Sequence, residues 1–282
     1  MPFSIKRCIE LPATLYAPIK RVRKQNKRIR KIRRLYPGNH LSCPLCKHTF
    51  GGFMPFTNPY PISITADIVS GQSIEHHSCP YCYCTDRERK LYFYFQQREG
   101  FFLNKRVLHF APEQGLYNFL AHSNCNEYIT ADLYPEGYKI YAKTIQKIDI
   151  CNITYPEGYF DIVLCNHVLE HIPDDKAAIR EIFRVLKPEG IAILLVPMSA
   201  KLKETYENPA KVTEEDRATE FGQTDHVRIY AEADYIRRIA STGFEVEITD
   251  AKLTPEEIIK YGINAREKIY IARKPRTIAT AQ

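Results

Sequence analysis

No apolar run in the 282-residue sequence approaches the ~20 residues that a bilayer-spanning helix needs. The amino terminus also lacks the continuous apolar core and small-residue cleavage site of a secretory signal. The reading is a cytoplasmic chain in a reducing compartment. There, its nine cysteines serve as metal ligands and buried thiols rather than as disulfides. A dinucleotide-type G-x-G-x-x-G turn is missing as well, so a glycine motif alone gives only a weak signal here. Acids are scarce at one end: residues 1–40 hold Glu10 alone against twelve Lys/Arg.

That scarcity locates the charge. Residues 41–282 carry a net of about −4, so the basic character belongs to a tail spanning residues 1–39 and not to the body. Between Lys20 and Arg34 ten of fifteen residues are basic, interleaved with Val22, Ile29 and Ile32. Three roles fit. The segment can lie peripherally on an anionic membrane at its inner face, with Ile5, Ile9, Leu11, Leu15 and Ile19 adding apolar contacts. It can grip RNA phosphates, or it can stay a solvated tail. Pro2, Pro12 and Pro18 break the stretch, so any helix is expected after Pro18.

The chain as a whole has 44% hydrophobic and 26% charged residues, and its length suits one α/β domain plus a small accessory unit. Residues 40–98 read as that unit. They contain Cys43-Pro-Leu-Cys46 and Cys79-Pro-Tyr-Cys82, separated by 32 residues. Each turn presents two thiolates on one side of a knuckle, and two knuckles complete a tetrahedral S4 site. The intervening Gly51, Gly52, Pro55, Pro59 and Pro61 leave little to build a core, so a structural zinc ion is expected to supply the stability. Cys84, His40, His48, His76 and His77 lie close enough in sequence to replace one ligand. Thr85 to Gln97 then reads as a helix whose aromatic face (Tyr92, Phe93, Phe95) packs onto the next domain.

From Lys105 onward strands and helices alternate. Strands are expected at Lys105–Ala111, Glu127–Ala131, Ile145–Asp149, Tyr159–Cys165, Ile191–Val196, Phe244–Thr249 and Lys268–Ala272. Helices are expected at Gln114–His122, Asp174–Leu186 and Glu232–Ala240, with Lys187-Pro-Glu-Gly190 stopping the second. The alternation, with near-continuous apolar strands, implies a doubly wound, mostly parallel sheet. The last two strands are close enough in sequence to form an antiparallel edge.

Residues 160–197, FDIVLCNHVLEHIPDDKAAIREIFRVLKPEGIAILLVP, resemble the fourth-to-fifth-strand region of class I S-adenosylmethionine (SAM)-dependent methyltransferases of the type 11 group. VLEHIPD and RVLKPEG carry the likeness most strongly. With FGQTDHVRIY (221–230), they suggest a bacterial subgroup that bears an N-terminal cysteine module. The resemblance spans about residues 105–274. It implies a Rossmann-like seven-stranded, mostly parallel sheet with helices on both faces, following a zinc-ribbon-like module, and a catalytic domain over residues 99–282.

The resemblance also implies a cofactor site. In the family, the first strand ends in an acid and a Gly-rich turn beside SAM. Here that stretch is His109-Phe110-Ala111-Pro-Glu113-Gln-Gly115, where only Gly115 survives of the glycines. Glu113 either meets the methionine amino group or begins the following helix, whose dipole suits an acid. Asp132, followed by Leu133, stands where the family holds the ribose hydroxyls. Asp149, followed by Ile150, stands at the adenine position or simply starts a loop. Asn166 and His167 fall at the mouth of the cleft. His171 and His226 are the candidate general bases, with Asp225, His226 and Arg228 read alternatively as a loop scaffold.

The letters H-x-x-E-H at His167–His171 match a zinc-peptidase motif, but the strand-end context suits a substrate pocket better. In related quinone-pathway O-methyltransferases an acid-rich motif here holds a divalent ion, and His167 replaces one of those acids. The charged Pro209–Phe221 stretch suits a mobile lid. The acceptor expected is a small molecule, a glycan precursor or a lipid-linked intermediate. RNA is the alternative, although no N/D-P-P-Y base-methylation motif is present, and a non-catalytic interaction protein is the third reading.

Overall fold

The computed structural model describes residues 27–138, 140–142 and 144–276. Seven strands form the main sheet: β1 (Arg106–Phe110), β2 (Glu127–Asp132), β3 (Gln146–Lys147), β4 (Phe160–Asn166), β5 (Leu186–Leu195), β6 (Glu245–Thr249) and β7 (Ile269–Arg273). Their spatial order is 6-7-5-4-1-2-3. Strands β1 to β5 pair in parallel throughout. The apolar runs of β4 and β5 are buried, as the centre of a sheet covered on both faces requires. The strand order reverses between β1 and β4, and at such a switch point the carboxyl ends of the strands open a crevice for a ligand.

Six helices connect this framework: α1 (Asp86–Gln96), α2 (Gln114–Leu120), α3 (Asp175–Val185), α4 (Glu214–Phe221), α5 (Glu232–Ala240) and α6 (Pro255–Tyr261). Helix α3 starts where Asp174 accepts a hydrogen bond from the Ala177 amide at 2.8 Å, and it buries Ala178, Ile179, Ile182 and Val185 at helical spacing.

Two expectations need correction. The third strand is only Gln146–Lys147, because Asp149 closes a turn by accepting from the Cys151 amide at 2.8 Å. Lys187-Pro-Glu-Gly190 does not separate helix from strand. It is a bulge inside β5, whose pairing jumps from Leu186 opposite Phe160 to Ile191 opposite Ile162. As expected, the last two strands make the antiparallel edge of the sheet. Strand β7 inserts between β6 and β5, antiparallel to both, so Arg273 is paired on each side.

The cysteine block is fastened to the domain at several points. Ile68–Val69 pairs with Met198–Ser199 just after β5, in a four-stranded sheet with Arg228–Ala231 and Tyr206–Glu207. Arg89 on α1 is fully buried and donates to the carbonyls of Tyr261 and Gly262 at 2.6 and 2.7 Å. The aromatic face of α1 packs as its spacing implies, with Tyr92 edge-on to Phe119 and Phe93 against Tyr261.

Residues 27–35 are helical. Ile32 is buried, and Arg28 donates to the Tyr81 carbonyl at 2.7 Å. Arg30, Lys31, Arg33 and Arg34 stay exposed. Ile5, Ile9, Leu11, Leu15, Ile19 and the stretch 20–26 lie outside the described residues. Among those described, no helix is long and apolar enough to cross a membrane.

Candidate active site

The carboxyl ends of β1, β2 and β4, with the turn after β3, enclose a cavity of about 590 Å³. Phe110, Ala111, Asp132, Leu133, Asp149, Ile150 and His167 line it, so seven of the nine expected cofactor positions meet in one place. Two of them hold left-handed backbone without being glycine: Ala111 at φ 44° and His167 at φ 53°. Such conformations persist only where neighbours enforce them. Here the Ala111 amide donates to the Ala131 carbonyl at 2.9 Å and the His167 amide to the Leu195 carbonyl at 2.7 Å.

The two acids differ in what already engages them. Asp132 accepts from the Tyr134 amide through one oxygen and from the Tyr138 hydroxyl through the other, both at 2.7 Å. Asp149 uses Oδ1 in its turn with Cys151. Glu113 and Asn166 are absent from the cavity wall. Glu113 lies 3.0 Å from His109 Nε2 and 3.8 Å from Arg87 Nε. Burial pushes its carboxyl up, but the His109 hydrogen bond together with the charges of His109 and Arg87 outweighs that and leaves it below its ordinary range. Asn166 is buried with both side-chain polar atoms unpartnered.

The histidines form one cluster. Donor atoms of Glu170, His171 and His226 all lie within 4.8 Å of one another, and the two rings meet edge to face at 4.7 Å between centroids. His171 lines the cavity, with Nδ1 3.2 Å from Asp225. Burial lowers its pKa, but the Asp225 contact and the Glu170 charge outweigh this and raise it above the ordinary value. His226 is buried off the cavity, and burial pulls it down to about 4 despite Glu170. His167 is held between Glu170 (3.4 Å) and Glu267 (3.6 Å). Glu170 itself is buried with both oxygens lacking a hydrogen-bond partner. Arg228 donates to the carbonyls of Leu169 and Pro173 at 2.8 and 2.9 Å, so it is scaffold for this loop.

The His226 shift makes stability depend on pH. Its folded pKa lies below the unfolded one, so the unfolded chain takes the proton first as pH falls. The contribution is fully present above pH ~6.5 and is lost toward pH ~4, amounting to about 3 kcal/mol. Melting profiles of His226→Gln are expected to show a shallower loss of Tm across that window than the unmodified protein. Parallel profiles would contradict the neutral, buried imidazole.

Sequence reasoning missed four residues at this site. Tyr138 and Arg217 line the cavity, the latter from α4 and so from the expected lid. Arg87 has a buried Nε with no partner. Glu88 joins two helix starts. Its Oε2 accepts from the Thr85 amide at the head of α1, and its Oε1 from the Gly115 and Leu116 amides at the head of α2, at 2.6, 2.8 and 3.2 Å. A Cβ on Gly115 would fall 2.6 Å from Cys84 Cβ and from Glu88 Oε1. The surviving glycine of the turn therefore admits the cysteine block, not a ligand. Only the capping-box spacing Thr85-x-x-Glu88 signalled any of this.

The ligand atoms of Cys43, Cys46, Cys79 and Cys82 lie within 4.8 Å of one another, with Sγ pairs at 3.6 and 3.7 Å. Cys84 Sγ sits 3.3 Å from Cys43 Sγ. His48 stacks on Tyr81 and His77 contacts Ser78 Oγ, so neither takes a thiol's place. Contact with Cys46 and the other thiols drives Cys43 toward the thiolate, while contact with Cys43 drives Cys46 the other way.

Residues 108–194, from β1 through β5, match the family model described as a methyltransferase domain. Over that segment the chain is similar to methyltransferase domains. The YafE protein of Escherichia coli K12 is 29% identical over 149 residues, which cover 49% of this chain and 69% of that one. Among solved structures, the [4+2]-cyclase SpnF aligns at 16% identity and TM-score 0.45, covering 68% of this chain and 82% of its own. A SAM-dependent methyltransferase from Mesorhizobium loti aligns at 15% identity and TM-score 0.45, with 61% and 92% covered. Every strand end that forms the cavity lies inside the matched segment.

Proposed function

We propose that the protein transfers a methyl group from SAM to a small-molecule, glycan-precursor or lipid-linked acceptor. The observation that carries this is the convergence of Ala111, Asp132, Asp149 and His167 on one cavity with the His171–Asp225 pair at its wall. Its volume suits a small ligand. Asp132 would take the ribose hydroxyls, Asp149 and Ile150 the adenine, and Phe110 and Leu133 the apolar surface between them. Bound SAM would supply an electrophilic methyl group. His171, oriented by Asp225, would accept the proton of an acceptor hydroxyl or amine through Nε2, and His226 would fix the His171 ring by its edge-on contact. Positioning and exclusion of water supply the remaining rate.

The four cysteines suit structural zinc. Tetrahedral Zn–S bonds of about 2.3 Å place sulfurs about 3.8 Å apart, near the spacing seen. No open coordination position is needed, since all four donors belong to the protein. The exposed basic helix at 27–35 favours peripheral attachment to an anionic membrane face, where a lipid-linked acceptor would be met.

Incubation with methyl-labelled SAM and separate polar-metabolite, lipid and RNA extracts tests the acceptor class. Label is expected in the metabolite or lipid fraction. Label confined to RNA would overturn the assignment, and no label in any fraction would favour a non-catalytic role.

A further inference from the structure

Resting on the SAM reading, we propose that a second cavity beside the first receives the methyl acceptor, and that Glu267 selects acceptors bearing an ammonium group. This cavity, of about 430 Å³, is lined by Val196, Met198 and Ser199 past the carboxyl end of β5 and by residues 265–268 leading into β7. Strand β7 runs antiparallel to β5, so its start lies at the same edge of the sheet as the end of β5. Ser70 adds a residue of the cysteine block to the wall. His167, on the wall of the first cavity, stands 3.6 Å from Glu267, on the wall of the second. That pair would separate methyl donor from acceptor.

The charges of this wall are closed in pairs, with one exception. Glu232 accepts from Lys268 and Tyr270 at 2.7 and 2.8 Å, Asp250 meets Lys90 at 2.9 Å, and Arg266 meets Asp67 at 2.8 Å. Glu267 has only 7% of its side chain exposed. Yet among the described residues neither of its carboxylate oxygens has a hydrogen-bond partner, and neither does Ser70 Oγ. The approach to His167 Nε2 exceeds hydrogen-bond length. Arg87 and Asp86 act on Glu267 through space with opposite signs. Glu170 shares His167 through the other ring nitrogen, so two negative charges face one positive even with His167 protonated. An ionised carboxylate can only accept hydrogen bonds, and burying it open is costly. An ammonium supplies both the donors and the missing charge, and Ser70 Oγ offers it a second acceptor in the same wall. While protonated, that nitrogen has no lone pair, so it is the anchor. A different hydroxyl or amine of the acceptor gives its proton to His171 as it takes the methyl group, leaving S-adenosylhomocysteine (SAH).

The test splits a polar-metabolite extract on a sulfonate cation exchanger at neutral pH. Each fraction is incubated with methyl-labelled SAM and the zinc-loaded full chain. Label is expected in the retained, cationic fraction. Glu267→Gln keeps the shape and removes the charge. It is expected to raise the amount of that fraction needed for half-maximal labelling roughly 10- to 100-fold, and to leave SAH affinity within about threefold. Ser70→Ala should give a smaller rise, roughly threefold. Label in the unretained fraction, or in neither fraction while SAH binds, would overturn the proposal. So would an unchanged half-maximal amount in Glu267→Gln, or a loss of SAH affinity as large as the loss of acceptor. Should Glu267→Gln melt early, Ser70→Ala decides by the same pair of readouts. An unmodified protein that does not bind SAH would instead remove the SAM reading itself.

Discussion

Replacing Cys43 with serine should release zinc, lower Tm by roughly 10 °C or more, and abolish SAH binding at the same time. Structural zinc in small cysteine modules contributes about 10–16 kcal/mol of apparent binding free energy, which is also folding free energy. At about 2–4 °C per kcal/mol for a domain of this class, even partial coupling to the whole chain gives a shift of that size. Cys43 is the buried member in contact with Cys82 and Cys84, so its loss leaves the remaining thiols without a common cation.

The loss of cofactor affinity follows from the geometry around Gly115. Cys84 and Glu88 hold the turn after β1 from the cysteine side, and Arg89 ties α1 to the carbonyls after α6. Cys125→Ser, a partly buried thiol remote from the set, should change none of these readouts. Metal content by mass spectrometry and a thermal melt decide the matter. Zinc that survives both Cys43→Ser and Cys79→Ser would remove the S4 assignment.

Asp132→Ala should weaken SAH about 100-fold without lowering Tm appreciably. Two hydrogen bonds to an ionised group contribute about 1.5–3 kcal/mol each, which sets the upper end. The net is smaller, because both carboxylate oxygens are already engaged by Tyr134 and Tyr138 and a ribose must displace or share those donors. About 3 kcal/mol remains, equivalent to two factors of ten at 1.4 kcal/mol each. Calorimetric titration reads this directly. Affinity within a factor of three of the unmodified protein would place the ribose elsewhere.

The sheet was legible because its signals are local. Strand β4 is a seven-residue apolar run and α3 has an Asp174 cap with core positions at helical spacing, so neither depended on distant contacts. Helix α6 was equally signposted, by Thr254-Pro255, Glu257 and the left-handed Gly262, yet at seven residues it falls below the length at which periodicity speaks. The two-residue strands at Ile68–Val69 and Met198–Ser199 have no period at all, and their pairing is a tertiary fact.

The site divides in the same way. Asp132, expected from the family resemblance, and His167, expected at the cleft mouth, both line the cavity because each sits at a strand end. Arg87 and Glu88 were not found, because their partners at Glu113 and Gly115 lie over twenty-five residues away and only the packed fold brings them together. Gly115 makes room for Cys84, a contact that sequence spacing does not show.

Titration of the zinc-loaded, unmodified protein with SAH tests the central claim most directly. The account predicts a single site with a micromolar Kd. No detectable binding in a folded sample would contradict it, and would leave a fold whose cavity serves another ligand.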